Sequence, residues 1–345
     1  MKKISIGGQA LIEGIMMKSP EKTAVAVRKP NDEIDIEYIK EKHIKDKLPF
    51  LGWPLLRGVV NFIESMMLGY KALMMSAEKS GLAELEEQEE KAKKEAKLEK
   101  KRQKAAKSGK EFIEPNEDKN KKTENILVTI VMGLGVVLGV ALAVFLFMWL
   151  PTAIFNGLVC LSNGALTGGF RPLIEGVLKI SIFVGYIALV SLTKDIKRVF
   201  MYHGAEHKTI FCLEKGKELS IENVKTESRF HPRCGTSFMI LMLLVGILIS
   251  LLIVTLFPEV TKLTALWVSI KILMVPFICG VGYELIKICG KYDNVITRII
   301  AAPGMWVQRL TTKEPEDDMI EVAIASIIAV LPEDGEFSAE CCNKE

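Results

Sequence analysis

Ile126–Leu150 reads ILVTIVMGLGVVLGVALAVFLFMWL and holds no charged residue. A helix crossing the hydrocarbon of a bilayer needs about 20 consecutive apolar residues, so this stretch predicts a membrane span. Gly135 and Gly139 give it a small-xxx-small spacing, which lets a second helix approach closely. Ser237–Phe257 is another strong run of the same kind. Lys179–Lys194 and Leu263–Ile286 are weaker spans, and each carries a lysine near one end, Lys179 and Lys271. Such lysines can snorkel to the interface. Pro276 predicts a kink in the last span, and Glu284 near its far end reads as interfacial. Pro151–Phe170 is uncharged and rich in Gly and Asn, which fits either an interfacial or a re-entrant segment.

The expected fold is mainly α: a polytopic membrane protein with about four transmembrane helices, plus a small cytoplasmic α+β part containing a β-hairpin. Its orientation follows from Lys and Arg, which concentrate on the cytoplasmic side. Lys119, Lys121 and Lys122 precede the first span; Lys194, Lys197, Arg198, Lys208, Lys215 and Lys217 follow the second; Lys287, Lys291 and Arg298 follow the fourth. The opposite loops offer chiefly Arg171 and Lys262. Both termini and the central loop are then cytoplasmic, in a multi-pass protein of the cell membrane. Met1–Met17 is only weakly apolar and does not read as a cleavable signal.

Six segments follow: 1–81, a β-hairpin and amphipathic helix; 82–124, a charged linker; 125–194, the first helix pair; 195–236, a His/Cys loop; 237–287, the second helix pair; and 288–345, a cytoplasmic tail with an amphipathic helix. Thr23–Arg28 and Glu33–Ile39 alternate around the turn Pro30-Asn31-Asp32, which is the hairpin. Leu55, Val59, Phe62, Ile63, Met66, Tyr70, Leu73, Met74 and Ala77 recur at helical spacing, a face for the hairpin or the membrane surface. Glu84–Lys122 mixes Lys and Glu and reads as solvated linker. Pro315 opens a helix with Glu316, Asp317 and Asp318 in its first turn and an apolar stripe of Ile320, Ile324, Ile327, Ile328 and Leu331. That stripe suits docking on the cytoplasmic part, on a second copy of the chain or on another membrane protein. The lipid bilayer is the one partner the composition demands. With 45 basic and 42 acidic residues, the chain lacks the basic surplus of a nucleic-acid binder. Seven cysteines without a CxxC pair fit reduced thiols.

Only four histidines exist, and His203, His207 and His231 fall in the loop between the second and third spans. His203-Gly204-Ala205-Glu206-His207-Lys208 has the order H-x-x-E-H. Two histidines four apart share a helix face and can chelate one ion, with the glutamate as base. A catalytic zinc commonly takes three protein ligands, and His231 or Cys234 in His231-Pro232-Arg233-Cys234 can complete the set. Zinc lowers the pKa of a bound water to about 7. Glu206 would take its proton, while Lys208 or Arg233 would stabilise a developing oxyanion. The bland alternative has these residues paired with one another, with lipid head groups or with the backbone. Gly7-Gly8-Gln9 through Glu13 reads as a helical face carrying Gln9 and Glu13, serving as a cap or as a contact to the His loop.

Taken together, GGQALIEGIMMK at the start, HGAEHKTI, FHPRCGTSF and LTTKEPEDDMIEVAIA near the end resemble a bacterial membrane family, the YqhQ-like proteins. The resemblance covers nearly the whole chain apart from the Lys/Glu linker. It implies a bacterial inner-membrane setting and a metal-dependent enzyme, the description given to the family. The expected function is thus a membrane-bound, hydrolase-like enzyme with a divalent metal, zinc foremost. A non-catalytic scaffold or regulator, and a transporter, are the competing readings.

Overall fold

A computed structural model describes residues 6–40, 48–81, 133–163, 168–292 and 294–332. The Lys/Glu linker, Cys341, Cys342 and the first residues of Ile126–Leu150 lie outside them. Among the described residues four helices are long and apolar enough to cross a membrane: α2 (Gly133–Leu161), α3 (Arg171–Val190), α6 (Gly235–Leu256) and α7 (Thr264–Lys291). Around their one end gather four strands and five other helices of the described chain. These are β1 (Gly7–Leu11), β2 (Gly14–Lys18), β3 (Thr23–Arg28), β4 (Ile34–Tyr38), α1 (Leu56–Lys79), α4 (Lys194–Glu214), α5 (Ile221–Lys225), α8 (Val295–Thr311) and α9 (Asp317–Val330).

The first span runs past Pro151 instead of ending there. Proline lacks an N–H and crowds the carbonyl of the preceding turn. Here the backbone widens to a π-helical turn over Phe145–Trp149, immediately before Pro151, and the helix continues to Leu161. Part of the segment read as interfacial or re-entrant is therefore the far end of α2. The second span also starts earlier than hydropathy alone indicates, at Arg171 rather than Lys179.

The strands form one antiparallel meander in the order β1-β2-β3-β4. The expected hairpin is β3–β4, with Val25 opposite Glu37. Gly7–Met17, read as a helical face, is instead the hairpin β1–β2, with Leu11 opposite Gly14 across the turn Ile12-Glu13. Glu13 takes φ 50° there. It is held by Arg198 through two contacts of 2.5 and 2.6 Å and by the Tyr202 hydroxyl at 3.1 Å. Glu13 thus anchors the hairpin to α4.

Both faces of the sheet are covered. Ile15, Met17, Ala24 and Ala26 face α4 and α9, meeting Tyr202, Ala205, Met319, Ile320, Ala323 and Ile327. Leu11, Met16, Val25 and Val27 face α1, meeting Leu68, Ala72 and Met75. Each fully buried Ile, Leu, Met or Val among these contributes about 1.5–3 kcal/mol. The apolar stripe of α9 is therefore consumed inside its own chain.

The large apolar stripe of α1 does not pack on the sheet. The helix turns its small side, Gly69, Ala72 and Ser76, toward β1 and β3, and Ser76 Oγ donates to the Ile12 carbonyl. Ile63, Met66, Tyr70 and Met74 are left exposed. Small residues let the helix axis come close to a twisted sheet, where longer side chains would hold it away. The start of α1 is pinned to the end of α7 by Arg57, which grips Glu284 at 2.7 and 2.5 Å, and by Asn61, which donates to the Tyr283 hydroxyl at 2.7 Å.

Within the spans, Lys271 does not snorkel. Its ammonium donates to Thr152 Oγ1 at 2.6 Å, Glu175 Oε2 at 3.0 Å and the Met148 carbonyl at 3.2 Å. Glu175 also accepts from Arg171 at 3.0 Å, Thr152 at 2.9 Å and the Trp267 indole at 3.2 Å. Arg171 reaches on to the Thr261 carbonyl and to Asn156. This polar cluster joins α2, α3 and α7.

Candidate metal centre

The fold brings the scarce histidines to the end of the span bundle. Helix α4 leaves the membrane end of α3 after a three-residue turn and carries His203 and His207 on one face, with ring centroids 4.4 Å apart. The chain then turns through α5, whose N-cap Ser220 accepts from the Asn223 N–H. It returns to place Cys234 as the N-cap residue of span α6. His203 Nε2 lies 3.1 Å from Cys234 Sγ. One ligand atom each from His203, His207 and Cys234 fall within 4.8 Å of one another.

The outward nitrogens are fixed. His203 Nδ1 faces the Thr311 carbonyl at 2.8 Å, and His207 Nδ1 faces the Arg229 carbonyl at 2.6 Å. A carbonyl can only accept, so each Nδ1 carries the proton. Metal-ligating histidines are oriented in this way, by donating the far N–H to a carbonyl or carboxylate. Tetrahedral zinc with bonds of about 2.0–2.3 Å sets its ligands roughly 3.5 Å apart, so modest inward movement completes the set.

Charge in the site is coupled. Burial resists ionisation of the Cys234 thiol, yet the adjoining His203, with His207, holds it well below its ordinary value. Burial likewise disfavours a charged His203, and the Cys234 thiolate outweighs this and lifts the imidazole to about 9. Each group thus favours the charged form of the other, and the proton between Nε2 and Sγ occupies the place a cation would take.

Glu206 is buried beside this pair, and burial raises its pKa against the pull of His203 and His207. One side of its carboxylate receives the Ala10 N–H, while Oε2 is buried with no hydrogen-bond partner among the described residues. Gly8 makes room for it, since a Cβ there would stand 2.8 Å from Glu206 Oε1. The glycine pair noted in the sequence is thus the close approach of β1 to this carboxylate.

Other residues read from the sequence sit differently. His231 packs against His207 and Phe211, with centroids 5.6 and 4.7 Å away, but it is not among the converging ligand atoms. Its Nδ1 accepts from the Arg233 N–H at 3.3 Å, and its Nε2 lies 3.5 Å from Glu214. That carboxylate is taken by Arg233, so burial wins and lowers the His231 pKa to about 4. Lys208 points away from the centre, to the Lys225 carbonyl at 3.0 Å and Glu314 at 2.8 Å. Arg233 is committed to Glu214. Among the described residues the converging donor atoms are therefore those of His203, His207 and Cys234, and the two cations brace their surroundings.

Sequence reading missed α8. This helix supplies Thr311 to His203, and its Gln308 clamps the loop. Gln308 accepts the His231 N–H at 2.8 Å and donates to the His231 carbonyl at 2.6 Å and to Ser237 Oγ at 2.8 Å. A signal existed in Asn294-Val295-Ile296-Thr297, which closes a capping box at the start of α8.

These features define a class: a polytopic membrane protein with a buried His/Cys cluster where a span meets a sandwiched antiparallel sheet. The chain belongs to the family described as "Protein of unknown function (DUF1385)", whose model matches residues 53–333. It is 31% identical over 336 residues to "Uncharacterized protein YqhQ" of Bacillus subtilis (strain 168), across 94% of this chain and 92% of that protein. No solved structure matches it.

Proposed function

We propose that this protein is a membrane-bound, metal-dependent hydrolase whose zinc is held by His203, His207 and Cys234, with Glu206 as the base. One observation carries the reading. Both imidazoles commit Nδ1–H to backbone carbonyls, which aims both Nε2 atoms at the Cys234 sulfur. Three protein ligands leave a fourth position for water or substrate, and a bound zinc supplies Lewis acidity there. Glu206, with its unpartnered Oε2 and raised pKa, is suited to take a proton and hand it on. Burial among β1 and α4 shields that transfer from bulk water. The Lys and Arg concentration near this end of the bundle supports a cytoplasmic face, and the exposed stripe of α1 supports contact with the bilayer surface.

Elemental analysis of detergent-purified protein tests the centre. The expected result is about one zinc per chain in the wild type and in a Lys208→Ala control, with a large loss in His207→Ala and Cys234→Ala. Equal zinc in wild type and His207→Ala would sink the reading. A second reading rests on the 3.1 Å His203–Cys234 contact at the start of α6: a thiolate nucleophile activated by imidazole. It predicts that iodoacetamide alkylates Cys234 equally with and without added zinc, whereas ligation predicts protection by zinc.

A further inference from the structure

The cluster inside the spans has unbalanced charge. Arg171, Lys179 and Lys271 contribute three cations, and among the described residues Glu175 is the one carboxylate that faces them. Lys271 has all three of its protons donated, to Thr152, Glu175 and Met148. Arg171 sits at the first residue of α3, with the Thr261 carbonyl and Asn156 as added partners. Lys179 differs. It interacts with Glu175 only through space and has no hydrogen-bond partner among the described residues. Eight residues along a helix is about 12 Å, so Lys179 lies well inside the roughly 30 Å hydrocarbon layer.

Lys179 lines a cavity of about 50 Å³ between α3, α6 and α7, together with Lys271, Ser250, Gly246 and Trp267. Its polar groups are the Lys179 ammonium, the Lys271 ammonium, whose protons are already donated, and the Ser250 hydroxyl, which can donate and has no partner of its own among the described residues. The space suffices for a few water-sized occupants. An uncompensated charge in a low-dielectric interior is costly, and the usual remedy is a counter-charge or loss of the proton. Charged groups at such depth are functional sites by default.

We infer that this cavity binds a small monovalent anion of halide size, held by the Lys179 ammonium and the Ser250 hydroxyl in the positive field of Lys271 and Arg171. The depth of Lys179 excludes a lipid headgroup phosphate, which stays at the interface. The site is separate from the His/Cys cluster and does not rest on the zinc reading.

Trp267 is a reporter already in place, because its indole lines the cavity and its ring lies 5.4 Å from the Lys271 ammonium. The test uses full-length protein in nanodiscs with Trp53, Trp149 and Trp306 replaced by Phe. Iodide is titrated at constant ionic strength with gluconate, and Trp267 fluorescence is read. Saturable quenching, relieved by chloride, is expected. Lys179→Met should abolish the saturable component, and Ser250→Ala should weaken it at least threefold. Quenching linear in iodide, or none, overturns the inference and leaves Lys179 neutral. A saturable component unchanged in Lys179→Met also overturns it. If Lys179→Met fails to fold, an unchanged iodide affinity in Ser250→Ala decides against the site.

Discussion

Replacing Glu175 by Gln should destabilise the protein far more than loss of a neutral hydrogen bond. The substitution keeps the shape of the side chain and removes its charge. Glu175 now accepts from Arg171, Lys271, Thr152 and Trp267, all at 2.9–3.2 Å. Gln offers one acceptor oxygen and sets an NH₂ against at least one of those donors. Arg171 keeps the Thr261 carbonyl and Asn156. Lys271 keeps Thr152 and the Met148 carbonyl but loses its one anionic partner among the described residues. Polar contacts between spans average about 0.6 kcal/mol and reach about 1.7 kcal/mol. Breaking one side of a buried ion pair costs about 3–5 kcal/mol. The second figure applies here, because the ammonium is stranded. It corresponds to a fall of two to more than three orders of magnitude in the folding equilibrium, at about 1.4 kcal/mol per tenfold. Reversible unfolding by steric trapping in bicelles would measure it. Adding Lys271→Met removes the stranded charge and should recover about 2 kcal/mol, within the range of about 0.5–3 kcal/mol for coupled neighbours. A loss below 1 kcal/mol for Glu175→Gln would refute the argument. So would a cycle additive to within about 0.5 kcal/mol, the behaviour of independent sites.

Three further outcomes are expected. In the proposed zinc site the metal would displace the proton of the His203 imidazole, which is raised to about 9 beside a Cys234 thiol held well below its ordinary value. Binding should therefore release about one proton and weaken about tenfold per unit as pH falls below 9; titration calorimetry in buffers of different ionisation enthalpy reads the release, and a value of zero contradicts the ion pair. Gly204→Ala would drive a Cβ into the Lys313 carbonyl, a backbone atom; a loss of about 1–3 kcal/mol is expected, exceeding that of Gly8→Ala, whose neighbour is a side chain. Truncation after Lys313 strips α9 from the sheet and exposes Ile15, Met17, Ala24 and Ala26; limited proteolysis should then cut the N-terminal strands rapidly, and intact resistance would show that α9 is dispensable.

The spans are legible as long apolar runs and α9 as a one-faced apolar stripe, whereas the β3–β4 hairpin is legible from its turn Pro30-Asn31-Asp32, since β3 itself is buried on both faces. The hairpin β1–β2 was hidden by its double burial: Ile15, Met16 and Met17 are all inside, so alternation vanishes. The turn at Glu13 lacks the usual Asn-Gly signal, because Arg198 and Tyr202 hold it in place from another element. Glu175 was overlooked because the second span was started at Lys179, where the charges end, whereas pairing lets Arg171 and Glu175 enter the helix. At the centre, H-x-x-E-H put two histidines on one face correctly. Whether His231 or Cys234 converges on those histidines depends on where the loop returns, which Gln308 sets from a helix far along the chain.

Cys234 caps a membrane-crossing helix, whereas His203 and His207 belong to a helix packed on the sheet. The cluster is therefore a joint between a part that answers to lipid and a part that answers to water. Metal sites hold their bond lengths to about 0.2 Å. Bilayers that differ in thickness tilt or displace spans to match their hydrophobic length. A shift of α6 along its own axis moves the sulfur relative to both imidazoles. Lipid chain length thereby becomes a variable of the spacing between the three donor atoms, and reconstitution in short- and long-chain lipids is a way to tune the proposed zinc site without changing a residue.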